Sequence, residues 1–131
     1  MSDFSAYTAE QVVDFMSQGT VNTAPTDIYV TLYDDTGTEL DGDFANARVQ
    51  TASGTDWTDN GSSFTNANLI DFGEAATDLT NIQDVALFDA ATGGNELARY
   101  QLNDAPFDIS SGSTLEFAAT DLSFDVRDRT Q

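Results

Sequence analysis

The chain has 131 residues and a formal net charge of −19, which comes from 23 acidic residues against four arginines and no lysine. Such a charge repels polyanions, so it excludes nucleic acid and anionic membranes as partners. Cysteine and histidine are absent, which excludes disulfides, thiolate metal sites and catalysis of the Ser-His-Asp or Cys-His type.

The first predicted element is a short N-terminal helix within residues 1–19. Thr8 followed by Gln11 fits a capping box, and Gly19 suits a helix stop. The apolar face of this helix would consist of Val12, Val13, Phe15 and Met16. Two roles are open: a plug packed on its own domain, which is the favoured interpretation, or a docking helix that inserts into a neighbouring subunit.

Strands follow a linker at 23–27, where apolar and polar residues begin to alternate. They are predicted at 28–33, 47–51, 55–58, 62–66, 69–72, 85–89, 96–100, 105–109, 115–117 and 122–126. Residues 74–81 are predicted as a loop and 127–131 as a polar tail. The central element is a largely covered hairpin at 85–100, because adjacent glycines at 93–94 allow a tight reversal.

The spacing of these strands predicts the fold class. Short strands separated by turns rich in Gly, Asn and Asp are typical of all-β sandwiches and barrels. We therefore expect residues 1–131 to form a single antiparallel β-sandwich, jelly-roll-like, with the short helix at its N-terminus. Neither an internal repeat nor a second domain is evident.

The acidity has two interpretations. High charge with few hydrophobic residues would indicate disorder, but here the acids are dispersed and 40% of the residues are hydrophobic, including nine phenylalanines. The second interpretation is a folded protein that works in molar salt, where the Debye length falls to about 3 Å and self-repulsion is screened. Eighteen aspartates and no lysine favour this halophilic interpretation.

Carboxylates are the remaining candidate chemistry. A glycoside hydrolase needs two of them at a fixed separation, but 23 acids will produce such pairs by chance, so we expect no enzyme. Asp56 to Gly61 resembles the start of an EF-hand loop, yet Ala67 stands where a bidentate Glu is required. A cation such as calcium could also be held by Asp34, Asp35, Asp41 and Asp43, although a solvated loop explains these acids. We expect no cofactor.

Trp57 is the single tryptophan and lies beside the predicted Asn60-Gly61 turn. If exposed, it could stack on a sugar ring, with Asp59 and Asn60 as further glycan contacts; if buried, it belongs to the core or to an interface. The turn also explains the glycosylation pattern at residues 60–62. The four arginines are expected to pair with carboxylates within the domain or across a subunit contact: Arg48, Arg99, Arg127 and Arg129.

Two blocks of the sequence, 87–97 and 112–124, resemble a family of small tail-fibre-like proteins of tailed viruses, and so do the opening helix and residues 24–33. Residues 34–81 agree least. The resemblance implies a virion structural protein and brings no enzymatic residues with it. Together with the acidity, it implies a tailed virus of a halophilic archaeon. It leaves open a tail, fibre or baseplate location or a capsid turret or decoration.

The leading hypothesis is an exposed, non-enzymatic subunit of the virion that assembles as a symmetric homo-oligomer. Its partners would be copies of itself and other virion proteins, and loops 34–46 and 53–62 would face solvent or host. The alternative is a carbohydrate-binding module that attaches to host-surface glycans. Residues 1–20 lack the pattern of a signal peptide or membrane span, so we expect synthesis in the host cytoplasm and a final location in the virion.

Overall fold

A computed structural model describes residues 2–20 and 24–125, so the predicted tail at 127–131, with Arg127 and Arg129, lies outside the described residues. In chain order the elements are β1 (Ser2–Phe4), α1 (Ala6–Gln18), β2 (Asp27–Asp34), β3 (Val49–Ala52), β4 (Trp57–Asp59), β5 (Ser63–Asn66), β6 (Ile70–Glu74), β7 (Leu79–Phe88), β8 (Glu96–Gln101), β9 (Phe107–Ile109), β10 (Thr114–Phe117) and β11 (Ser123–Asp125). No helix in this part of the chain has the length and apolar character needed to cross a membrane.

The described strands form three antiparallel sheets, which confirms the predicted all-β sandwich. The largest sheet has the order β1-β8-β7-β2-β3, and β9 pairs with the first half of β7. The others are the pair β10-β6 and the three-stranded sheet β11-β5-β4.

The core lies between the large sheet and the two small ones. Alternation along β2 sends Val30 and Leu32 into this core, as expected for a strand with one face toward a second layer. The small sheets contribute Phe72 and Phe124, which are also fully buried. The ring of Phe124 meets that of Tyr100 edge to face at 4.5 Å, so β11 is joined directly to β8.

The central hairpin is confirmed as β7 and β8. Val85 and Leu87 enter the main core, while Ala86 and Phe88 are buried on the opposite face of the sheet. Both faces of β7 are therefore covered at this point, which explains why its sequence lacks a polar face.

The predicted loop at 74–81 is wrong, because β7 begins at Leu79. Leu79 is buried and pairs with Ile109 of β9, and the register shifts before Ile82. Asn81 causes this irregularity: its φ is +56°, and its amide donates to Asp108 Oδ1 at 3.0 Å. A bulge of this kind breaks the two-residue alternation from which the strand would have been recognised.

The helix begins one turn earlier than the predicted capping box. Ser5 is the N-cap, and its Oγ accepts a hydrogen bond from the Thr8 amide at 3.1 Å. Thr8 lies inside the helix, where its hydroxyl donates to the carbonyl of Leu97 at 2.8 Å. The predicted stop is confirmed, since Gly19 has the left-handed conformation with φ +66°.

The predicted packing of the helix is also wrong. Its apolar residues do not form a plug, because Val12, Val13, Phe15 and Met16 are 40%, 59%, 63% and 77% exposed. The side of α1 that is partly buried carries Tyr7, Thr8, Gln11 and Asp14 instead. Ser5 and Thr8 anchor the helix to Leu97 of β8 by hydrogen bonds, so polar contacts rather than hydrophobic burial fix its position.

Candidate functional site

The predicted glycan contacts lie on the hairpin of β4 and β5. Its turn is the predicted Asn-Gly turn: the Asn60 amide donates to the Ser63 carbonyl at 2.9 Å, and Gly61 has φ +94°. Asp59 Oδ1 accepts the Gly61 amide at 2.8 Å. Asp59 and Asn60 are exposed at this tip, so the turn chemistry accounts for their presence and leaves part of each side chain open to solvent.

Trp57 is half-buried. Its Nε1 donates to Thr51 Oγ1 at 2.8 Å, and the Thr51 hydroxyl donates in turn to the Ile28 carbonyl at 2.6 Å. The indole meets Phe64 and Phe124 edge to face at 5.5 and 5.7 Å. The indole, which belongs to the β11-β5-β4 sheet, is therefore held against Thr51 of the large sheet by this hydrogen bond.

A cleft of about 390 Å³ opens beside Trp57. It is lined by Ile28, Ser53, Gly54, Trp57, Asp59, Gly61, Ser62, Ser63 and Phe64. The structure thus brings Trp57 and Asp59 to one surface, whereas Asn60 lies at the tip of the turn, where its Nδ2 is 3.4 Å from Thr65 Oγ1. Sequence reasoning missed Ile28 and Phe64, which come from other strands and reach the cleft only through the fold.

The lining of the cleft combines apolar and polar groups. An aromatic wall with a carboxylate and hydroxyls nearby suits the apolar face and hydroxyl groups of a sugar ring. Among the lining residues that the structure describes, Asp59 supplies the one carboxylate, whereas glycoside hydrolysis uses two.

Hydrogen bonds to the Asp34 carboxylate fix the conformation at the start of the acidic loop at 34–46. Asp34 Oδ1 accepts hydrogen bonds from the Thr36 hydroxyl at 2.6 Å, the Thr36 amide at 2.9 Å and the Thr38 amide at 3.0 Å. The Thr36 hydroxyl and then the Thr38 amide hold the pKa of this carboxyl below its usual value. Within residues 2–20 and 24–125, no three potential ligands gather as a metal site would require.

The EF-hand-like stretch is also accounted for by local bonds. Asp56 Oδ2 accepts the Ala52 amide at 2.7 Å, and its Oδ1 accepts the side-chain amide of Asn68 at 2.7 Å. This carboxylate therefore joins the end of β3 to the residues after β5. These bonds give Asp56 a structural role.

Arg48 pairs with a carboxylate inside the domain, as predicted. Its Nε lies 2.8 Å from Glu39 Oε2 and its Nη2 lies 3.0 Å from Oε1. Its Nη1 donates to the carbonyls of Ala90 and Gly93 at 2.8 and 3.0 Å, and its guanidinium lies 3.9 Å from the Phe88 ring centre. No sequence pattern predicts the contact of Arg48 with the 89–95 turn, because the partners lie more than forty positions apart.

Arg99 also pairs with a carboxylate inside the domain, as predicted, and its partner is on the same strand. Its Nη2 lies 2.6 Å from Glu96 Oε1, three residues earlier on β8, and its guanidinium stacks 3.6 Å above the Tyr33 ring centre. Burial, and then the charge of Glu39, raise the pKa of the Tyr33 phenol. The two described arginines thus cover the second face of the large sheet.

The comparisons with known proteins identify the family of the chain. Residues 3–125 match the family described as podophage GP4 fiber I protein gp80. No curated protein matches the chain. Because the family match extends over nearly the whole sequence, the chain belongs to the podophage GP4 fiber I protein gp80 family and is a tail-fibre-type structural protein of a virion.

Proposed function

We propose that this protein is an exposed, non-enzymatic subunit of the tail fibre of a virus that infects a halophilic archaeon, and that it assembles as a homo-oligomer with other virion proteins around it. The observation that carries the proposal is the family match over residues 3–125. Polar side chains such as Arg48 and Asn66 are engaged in bonds that hold the fold, which fits a structural role.

The halophilic part of the proposal is supported by charge. A net charge of −19 on 131 residues would strain a compact fold in dilute buffer, because like charges repel over about 10 Å at 0.1 M salt. Some of these acids, such as Asp35 and Asp41, lie on loops and are exposed. Molar salt screens this repulsion and leaves the buried core unaffected.

The location is tested on purified virus particles. Mass spectrometry of particles from a halophilic archaeal culture should detect this chain at a fixed ratio to the other structural proteins. Gold-labelled antibodies should mark the tail in electron micrographs. Labelling of the capsid vertices would redirect the proposal to a turret or decoration, and absence from the particle would contradict it.

A second candidate function is supported by the cleft beside Trp57. We propose that it contacts a host-surface glycan, with Trp57 and Asp59 in the cleft and Asn60 at the adjacent tip. The indole is already fixed by Thr51 and by the aromatic rings beneath it, so a sugar would meet a preorganised surface and would bind at low entropic cost.

Replacement of Trp57 by Ala should abolish binding to host cells or their purified surface glycans. Thr51→Val, which removes the hydrogen bond that fixes the indole but leaves the aromatic ring present, should weaken binding without abolishing it. Circular dichroism establishes that both variants fold. If the folded Trp57→Ala variant binds cells as the wild type does, the glycan site is wrong.

A further inference from the structure

The helix α1 is oriented with its polar side toward its own domain. At about 100° per residue, Tyr7, Gln11 and Asp14 share one side of the helix, and they are partly buried. An amphipathic helix on a globular domain normally shows the reverse arrangement, with its apolar stripe on the core. Here the apolar stripe faces outward, and none of its residues is buried.

The outward stripe is well defined. Val12, Val13 and Met16 lie within about 100° of one another around the helix axis, and Phe15 extends the apolar arc to roughly 160°. These four side chains are 40% to 77% exposed. Thr8 lies within the same arc one turn earlier, where its hydroxyl is bonded to Leu97, so the continuous apolar surface is formed by residues 12–16 alone.

The stripe is also free of charge. The two acids of the helix are Glu10 and Asp14, and helical geometry places both outside the apolar arc. In a chain of net charge −19, such a surface is one that another equally acidic molecule can approach without strong repulsion. It offers no charged group with which a basic partner could pair.

The helix has its own stable ends. Ser5 caps the first turn and Gly19 closes the last, so groups at both ends of α1 have hydrogen-bond partners although its apolar side is exposed. The anchoring bonds are made near the first turn, from Ser5 and Thr8 to Leu97. The later turns, which carry Phe15 and Met16, project their side chains into solvent.

We propose that α1 is the element through which copies of this chain assemble, its stripe packing against the same stripe of at least two other copies in a helical bundle. A helix of 13 residues is only about 20 Å long, so one helix pair falls short of the roughly 800 Å² per partner of a stable interface. An arc of about 160° is wider than a two-helix seam and suits contact with two neighbours. Cyclic symmetry then covers every stripe.

This inference rests on the proposed function, since it names the surface by which the proposed fibre subunit meets its own copies. Sedimentation velocity in about 2 M KCl, where repulsion between copies is screened, measures the assembly directly. The test variant is Met16→Glu and the matched control is Gln18→Glu. Both positions are exposed in the last turn of α1, and both changes add one negative charge, but Gln18 lies away from the stripe.

The wild type and Gln18→Glu should sediment as a trimer or larger, and Met16→Glu should dissociate to monomers with an unchanged circular dichroism spectrum. A monomeric wild type, a wild-type dimer, or an assembled Met16→Glu variant would each overturn the proposed bundle. Assembly that requires a second virion protein would overturn it as well. A monomer that is nevertheless found in virus particles would contradict the helix interface and leave the virion role intact.

Discussion

Arg48 and Glu39 form a bidentate ion pair, with Nε–Oε2 and Nη2–Oε1 distances of 2.8 and 3.0 Å, while the Arg48 side chain is only 5% exposed. Glu39 belongs to the acidic loop, and the free nitrogen of Arg48 reaches the hairpin turn at Ala90 and Gly93. One guanidinium therefore joins the acidic loop at 34–46 to the hairpin turn at 89–95.

We expect Arg48→Ala to destabilise the domain by about 3 kcal/mol. Removal of one member of a buried ion pair leaves the other charge without compensation, which typically costs about 3–5 kcal/mol, and here Glu39 retains the Thr31 hydroxyl at 2.7 Å. Urea unfolding in about 2 M KCl measures the change. The control is Arg99→Ala, whose side chain is 33% exposed and should cost about 1 kcal/mol. Equal losses in the two variants would contradict the proposed importance of the Arg48 pair.

The same pair predicts a pH dependence. Hydrogen bonds from Arg48 and then from Thr31 hold the pKa of Glu39 below its ordinary value. A carboxyl whose pKa is lower in the folded than in the unfolded state stabilises the fold above the unfolded pKa, about 4.3, and loses that contribution as the pH falls through the folded pKa. Wild type and Glu39→Gln should therefore differ in urea midpoint at pH 7 and converge toward pH 3. A constant difference would contradict this account.

The hairpin turn gives a matched pair of glycine substitutions. A Cβ on Gly94, at φ +74°, would lie 2.6 Å from both Ala90 Cβ and Asp89 Oδ1, whereas one on Gly93, at φ +60°, would meet nothing within 4 Å. Both alanine variants pay a left-handed backbone cost of about 1–2 kcal/mol. Gly94→Ala should lose distinctly more, because Asp89 must also release the Asn95 amide that it binds at 2.7 Å. Equal unfolding free energies for the two variants would show that the turn relaxes.

Asn66 joins β5 to the segment between β10 and β11. Its Nδ2 donates to the carbonyls of Asn68, Phe117 and Ala118 at 3.0, 3.3 and 2.9 Å, and its Oδ1 accepts the Leu122 amide at 2.9 Å. The residue is completely buried. This amide therefore supplies both donor and acceptor where a carboxylate would supply acceptors only.

We expect Asn66→Asp to destabilise the fold by about 3 kcal/mol or more, since it places a buried charge against three carbonyl oxygens. The control is Asn60→Asp, the same chemical change at the exposed turn, which should alter the free energy of unfolding by less than about 0.5 kcal/mol. Thermal and urea unfolding of both variants provide the comparison. A tolerated Asn66→Asp would mean that the segment after β10 can rearrange.

What the sequence could predict depended on local pattern. Alternation of apolar residues located β2 and the central hairpin, and the Asn60-Gly61 turn was found because its chemistry is contained in neighbouring residues. The start of β7 was missed because the bulge at Asn81 interrupts that alternation.

Contacts between residues that are distant in the sequence could not be predicted from local pattern. The contact of Arg48 with the hairpin turn spans more than forty positions, and the role of Asn66 depends on a segment about fifty residues later. The orientation of α1 was missed for another reason. Its sequence shows an amphipathic helix, but periodicity does not say whether the apolar side meets the same domain or a different molecule.

The high negative charge predicts that the thermal stability of the domain depends on salt. Because the Debye length shortens from about 10 Å at 0.1 M to about 3 Å at 1 M, we expect the thermal midpoint to rise steeply with KCl up to roughly that concentration. The double variant Asp35→Asn/Asp41→Asn removes two exposed charges from the loop at 34–46. It should melt higher than the wild type in dilute buffer and at the same temperature in 2 M KCl, since repulsion among the remaining acids is then already screened. A wild-type midpoint that does not change with salt would contradict the halophilic interpretation, whatever the location of the protein in the virion.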